Sequence, residues 1–204
     1  TYDAILELVK TEKYIKGVNL ARNFGQPSAV MAALNQATGD YVVCGDDDGQ
    51  TPFNELDKLF QKIEEGYDLV EAKYAVREKR SLFRKLGTVL NESMATWLIA
   101  KPHGLELTTY WVTRRFVVDQ MISYPNSFPY LGGLMLRATQ NACNVNVTHR
   151  ERLSGKSGYS LMKMIELWLN GFTSFSIKPL RIATWVGIII AAGGFLYGLA
   201  IIIM

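Results

Sequence analysis

Three adjacent acids, Asp46-Asp47-Asp48, carry the densest chemistry in this 204-residue chain. Neighbouring carboxylates repel one another unless something neutralises them, and a divalent cation is the natural partner. Mg2+ or Mn2+ takes oxygen ligands, commonly one or two carboxylates with substrate phosphates completing the shell. In extended backbone alternate residues share a face, so Asp46 and Asp48 are expected to converge on a metal while Asp47 points away. Gln50 can add an amide oxygen or orient a bound water. The competing reading is an acidic turn closed by Asx hydrogen bonds.

The elements around the cluster favour the metal. Tyr41 to Cys44 reads as a short buried strand running straight into Gly45, and Pro52 suits the first turn of a helix from about Phe53 to Glu65. Asp68 to Ala72 begins another strand. Upstream, Tyr2 to Thr11 has the spacing of an amphipathic helix, residues 17–20 read as a short strand, and Ser28 to Thr38 reads as a helix stopped by Gly39. Alternating strands and helices predict parallel crossovers in an open, Rossmann-like α/β sheet. Ligands bind such sheets at the carboxyl ends of the strands, where the three acids lie. A cation holding a diphosphate there would neutralise the charge that develops as a nucleotide diphosphate leaves, the situation met in sugar transfer.

Composition narrows the classes. Hydrophobic residues are 49% and charged residues 20%, which excludes a disordered or low-complexity chain. The net charge of +3 gives no footprint for nucleic acid. Cys44 and Cys143 form no zinc pattern and read as inert core thiols in a reducing compartment. His103 and His149 lack ligand spacing and read as structural.

From Ile182 to Met204 no residue is charged, and such a run is long enough to cross a bilayer core of about 30 Å as a helix. A buried core helix is the alternative. Gly187, Ala191, Ala192, Gly194 and Gly198 would let a second helix approach closely, so a homo-oligomer is an open expectation. Lys178 and Arg181 precede the run, which places the body in the cytoplasm and the protein in the cell membrane. The domain reading is a catalytic body over 1–158, an interface helix and connector over 159–181, and a transmembrane helix over 182–204. Residues Tyr159 to Phe175 suit either a helix lying in the membrane interface or one packed on the core. Thr1 and Met204 suggest a fragment cut at both ends.

Several ordered motifs resemble the inverting glycosyltransferases of family 2. They are Leu20-Ala21-Arg22-Asn23-Phe24-Gly25, Ala37-Thr38-Gly39-Asp40, Asp46 through Pro52, Arg150 through Ser160, and Gly171 through Arg181. The similarity is greatest to polyprenyl-phosphate glycosyltransferases, including the dolichol-phosphate mannose synthase group. It implies a GT-A nucleotide-diphospho-sugar fold with its first strand lacking, and metal and diphosphate binding at Asp46, Asp48 and Gln50. It implies donor binding near Arg22 and Asn23. The implied partners are a nucleotide-diphospho-sugar, a polyprenyl phosphate or related lipid-linked acceptor, and membrane lipids.

One departure is chemical. Many relatives carry an Asp, proposed as a base or acceptor-site residue, where this chain has Thr109. Glu106 is the nearest carboxylate and becomes the candidate base. An acceptor phosphate, already ionised, needs positioning more than deprotonation. The alternatives are transfer to a saccharide or glycolipid hydroxyl, and a catalytically inactive membrane-bound relative. Basic residues crowd from Lys73 to Lys85, with Arg77 and Arg80 among them, and suit anionic lipid, an acceptor phosphate, or an ordinary solvated face. Arg152, Lys156 and Ser157 form a second phosphate-suited group, in which Gly155 and Gly158 would let backbone amides approach an anion.

Overall fold

Four strands make one mixed sheet in the order β1-β3-β2-β4. The computed structural model describes residues 2–74, 96, 99–127, 129–148 and 178–203. The elements are α1 (Tyr2–Thr11), α2 (Gln26–Leu34), β1 (Tyr41–Cys44), a 3-10 turn (Phe53–Glu55), α3 (Leu56–Glu64), β2 (Leu69–Tyr74), β3 (Trp111–Arg114), α4 (Arg115–Ile122), α5 (Leu131–Ala138), β4 (Ala142–Val147) and α6 (Lys178–Ile203).

The parallel sheet expected from the sequence is corrected in one respect. β2 and β4 are parallel, but β3 lies between β1 and β2 and is antiparallel to both. β1, β2 and β4 therefore point the same way without being contiguous. The reason is tertiary: β3 belongs to a segment some forty residues after β2 and reaches the sheet from the opposite end. Residues 17–20 do not form the expected strand, because no ladder partner stands beside them among the described residues, and Val18 is left exposed.

Register divides the side chains between two cores. Val42, Leu69 and Trp111 share one face, which α2, α4 and α5 cover with Leu34, Val117, Met121, Leu134 and Met135. Val70, Ala72, Val112 and Val147 share the other, where α3 brings Leu59 and Ile63. In α3, Leu56, Leu59, Phe60 and Ile63 recur at helical spacing and make one apolar stripe. Leu59 and Ile63 are fully buried, and burial of such a side chain contributes about 1.5–3 kcal/mol. Arg114 closes the helix end: its Nη2 donates to the Ile63 carbonyl at 2.8 Å and its Nε to the Tyr67 carbonyl at 3.2 Å.

α1 matches its expected span but buries none of its residues, and Ile5, Leu6 and Leu8 stay exposed. α2 stops at Leu34, four residues before the expected Thr38: the following N–H groups tighten to i−3 bonds, Gln36 to the Ala33 carbonyl and Ala37 to the Leu34 carbonyl, while Asn35 Nδ2 donates to the Met31 carbonyl. The Pro52-led helix begins as a 3-10 turn before α3. A groove of about 390 Å³ opens beside β1, lined by Tyr14, Lys16, Val18 and Ala33. It does not reach the acidic cluster.

α6 carries a run of 24 residues from Leu180 to Ile203 with a mean hydropathy of 2.5, in which Arg181 is the one charge, and the run is not buried against the described residues. At about 1.5 Å per residue it is long enough to cross a bilayer.

Candidate active site

The acidic cluster stands at the carboxyl end of β1, where the strand leaves the sheet. Gly45 lets the Phe53 ring lie against the strand end, since a Cβ there would stand 2.6 Å from the tip of that ring. Residues 47–49 bend rather than continue extended, and Gly49 takes φ 80°. The expected extended alternation therefore does not hold. Asp47 is exposed, and Asp46 and Asp48 are half-buried.

Asp46 is the more constrained of the two. Its Oδ1 accepts from Gln26 Nε2 at 2.8 Å and its Oδ2 from the Thr109 hydroxyl at 2.6 Å. Its backbone N–H donates to the Thr51 hydroxyl at 3.1 Å. One carboxylate thus ties together the start of α2, the end of β1 and the segment before β3. Asp48 Oδ1 accepts from the Gln50 backbone N–H at 3.0 Å, the Asx turn of the competing reading. Both acids lie close to Tyr74, whose phenol is pushed up by burial and then by Asp46, Asp48 and Glu71, while a hydrogen bond from Thr51 opposes the shift.

This donor set suits a cation that arrives with a diphosphate. Among the described residues no group of three or more His, Cys, Asp or Glu side chains is arranged to hold a metal. Two half-buried carboxylates are what Mg2+ or Mn2+ usually takes from protein when phosphate oxygens and water fill the remaining positions.

The other expected residues fall into two groups. Arg22 stacks its guanidinium 4.6 Å from the Phe24 ring centroid, and Asn23 Oδ1 accepts from the Gly25 backbone N–H at 2.9 Å. These bonds shape the loop that delivers Gln26 to Asp46. Glu106 pairs with Lys73 at 2.7 Å, both side chains being less than half exposed. Arg77, Arg80, Arg152, Lys156 and Ser157 lie outside the described residues, as does the expected interface helix up to Ile177.

Three residues of the site, Gln26, Glu71 and Asn144, escaped the sequence reading, and Thr109, noted there only as the replacement of an Asp, gains a role as a partner of Asp46. Gln26 and Thr109 meet only because distant segments converge on Asp46. Glu71 is fully buried on β2, and burial pushes its carboxyl up to about 8 despite opposing hydrogen bonds from Thr108. Asn144, its register neighbour on β4, holds Glu106 from both sides. Its Oδ1 accepts from the Glu106 N–H at 2.7 Å and its Nδ2 donates to the Glu106 carbonyl at 2.8 Å. The one available signal was a lone Glu within the apolar run of β2.

Comparison with known proteins places this geometry in a family. The model for "Glycosyl transferase family 2" matches residues 1–122. The undecaprenyl-phosphate 4-deoxy-4-formamido-L-arabinose transferase of Photorhabdus laumondii is 35% identical over 196 residues, 95% of this chain and 58% of that protein. The same-named protein of Pectobacterium atrosepticum is 36% identical over 194 residues, 94% and 58% respectively. The chain thus spans under two thirds of the length of these curated relatives. Glucosyl-3-phosphoglycerate synthase of Mycobacterium tuberculosis, crystallised with phosphoglyceric acid, shares the fold at TM-score 0.52 and 15% identity, over 78% of this chain and 57% of that one. The same synthase with Mn2+, UDP-glucose and phosphoglyceric acid gives TM-score 0.50 at 19% identity, over 74% and 52%. The fold is the GT-A arrangement, and the chain belongs to glycosyl transferase family 2.

Proposed function

We propose that this chain is the catalytic part of an inverting, metal-dependent glycosyltransferase. It moves a sugar from a nucleotide-diphospho-sugar to polyprenyl phosphate at the cytoplasmic face of the cell membrane. The observation that carries this reading is the Asp46/Asp48 pair at the carboxyl end of β1 in a family 2 chain that also bears α6. The printed names of the relatives, undecaprenyl-phosphate sugar transferases, support the choice of acceptor.

In this reading Asp46, fixed by Gln26 and Thr109, orients the donor, while Asp48 and Gln50 face its diphosphate. Mg2+ or Mn2+ bound there would neutralise the charge developing on the leaving diphosphate. An acceptor phosphate oxygen attacks the anomeric carbon from the side opposite the diphosphate, so the new C–O bond forms as the old one breaks and configuration inverts. A phosphate monoester has its second pKa near 6, so the acceptor needs no proton removed. That agrees with Glu106, which is occupied by Lys73 rather than poised as a base. Residues 1–158 form the catalytic body, 159–181 the membrane-proximal connector, and 182–204 the span, with Lys178 and Arg181 on the cytoplasmic side. Arg77, Arg80, Arg152, Lys156 and Ser157 are assigned to phosphate or lipid headgroups.

The test is transfer of labelled sugar from a panel of nucleotide sugars to undecaprenyl phosphate by the full-length protein. Asp48→Ala and a chelator should each abolish transfer. Transfer that survives both would refute the metal assignment.

A further inference from the structure

We propose that Glu71 is a positioning residue for Asp46, acting through the Thr108–Thr109 pair. The inference rests on the donor-site reading above. It begins with an accounting of backbone donors. The 105–110 segment crosses the sheet end before entering β3, and the N–H of Thr108 turns inward, where a buried donor needs a partner. Glu71 Oε2 accepts that N–H at 2.8 Å, and the Thr108 hydroxyl lies 3.1 Å from the same oxygen. The hydroxyl has a single proton and also sits 3.0 Å from the Tyr110 carbonyl, so the N–H is the bond that sets the height of the segment.

The next residue, Thr109, is exposed, and its hydroxyl reaches Asp46 at 2.6 Å. The path from a buried carboxyl to the acidic cluster is thus Glu71, the Thr108 backbone, Thr109 and Asp46. Asn144 grips the same segment on the other side, at Glu106. Glu71 and Asn144 stand side by side in the sheet with Trp111 and Cys44, one residue from each strand on one face. Two of the four make hydrogen bonds to the segment. Glu71 Oε1, by contrast, is buried with no hydrogen-bond partner among the described residues. Stability alone would not keep a half-satisfied carboxyl there, because an apolar side chain of similar size removes that cost. The gain is in placement, and misplacing a binding group by about 1 Å can cost about a hundredfold in rate.

The experiment measures binding of UDP, GDP, CDP and dTDP with Mn2+ to the full-length protein in detergent. Variants are Glu71→Met, Glu71→Gln, Thr109→Val and the double variant Glu71→Met/Thr109→Val. Thermal unfolding on each confirms folding. Glutamine keeps an acceptor for Thr108 and should restore binding to within about threefold of wild type. Methionine keeps the volume but not the acceptor, and should weaken the diphosphate that binds wild type by about tenfold or more. If the effect runs through Thr109, adding Glu71→Met to Thr109→Val should cost little more than Thr109→Val alone. Glu71→Met binding within twofold of wild type overturns the assignment. So do additive losses in the double variant, or equal losses in the Gln and Met variants that follow their melting temperatures. If wild type binds none of the four diphosphates, the donor-site reading itself fails and takes this assignment with it. Wild-type binding with an indifferent Glu71→Met sinks the assignment alone.

Discussion

Glu71 also makes a prediction about stability that needs no substrate. Burial raises its carboxyl from the ordinary 4.5 to about 8 in the folded chain. Between those values the unfolded chain carries an ionised Glu71 and the folded chain a neutral one. The unfolded state therefore binds fewer protons, and stability falls as pH rises from about 5 to about 8, then levels. At about 1.4 kcal/mol per pH unit, the whole interval corresponds to at most about 5 kcal/mol. Even half of that would move the melting temperature by about 5–10 °C in a chain of this size. Glu71→Gln removes the titration while keeping an acceptor for Thr108. The variant should melt close to wild type at pH 5 and well above it at pH 9. The titratable neighbours do not mimic the effect. In the folded chain Cys44 is pushed up to about 11 by burial, then by Asp46 and Glu71, and Tyr74 is raised also, so neither ionises there across this range, and the ionisation of the unfolded thiol toward pH 9 is common to both proteins. The half-buried Lys73–Glu106 pair is common to both proteins. A melting difference between the two proteins that stays constant within about 1 °C from pH 5 to 9 would refute the reasoning.

Two other expectations follow from the same interior. Cys44 should resist alkylation by iodoacetamide at pH 8 in the native protein and react on denaturation, because its thiolate is disfavoured by burial and by adjacent acids; peptide mass mapping reads this directly. Tyr110 is fully buried with its ring edge-to-face on Phe53 at 5.5 Å and its hydroxyl unpartnered among the described residues. Tyr110→Phe should therefore leave stability unchanged or raise it by about 1 kcal/mol, whereas Tyr110→Ala should cost about 3–5 kcal/mol, as thermal unfolding would show.

Much of the molecule was legible because local rules suffice for it. The apolar run after Arg181 has to be a helix if it lies in lipid, since nothing else satisfies its backbone there. The stripe of Leu56, Leu59, Phe60 and Ile63 demands a covered face, and Pro52 marks where that element starts. The Asp46–Asp48 cluster was visible as a strand end because Tyr41 to Cys44 is apolar and Gly45 follows.

What local rules could not supply was pairing. Alternation of strand and helix predicts parallel neighbours, yet β3 enters antiparallel between β1 and β2 from a segment far along the chain. Residues 17–20 have strand character and, among the described residues, no strand beside them. The acids themselves were identifiable, but their partners were not. Gln26 lies 20 positions before Asp46 and Thr109 63 positions after it, so no spacing rule joins them. Glu71 carries the same lesson furthest. In the sequence it is one acid in an apolar strand. Only the packed sheet, by excluding water from it and bringing Thr108 over it, turns that acid into a neutral carboxyl beneath the candidate site. Residue type and order set which groups could do chemistry, and the long-range contacts of the sheet decided which of them meet.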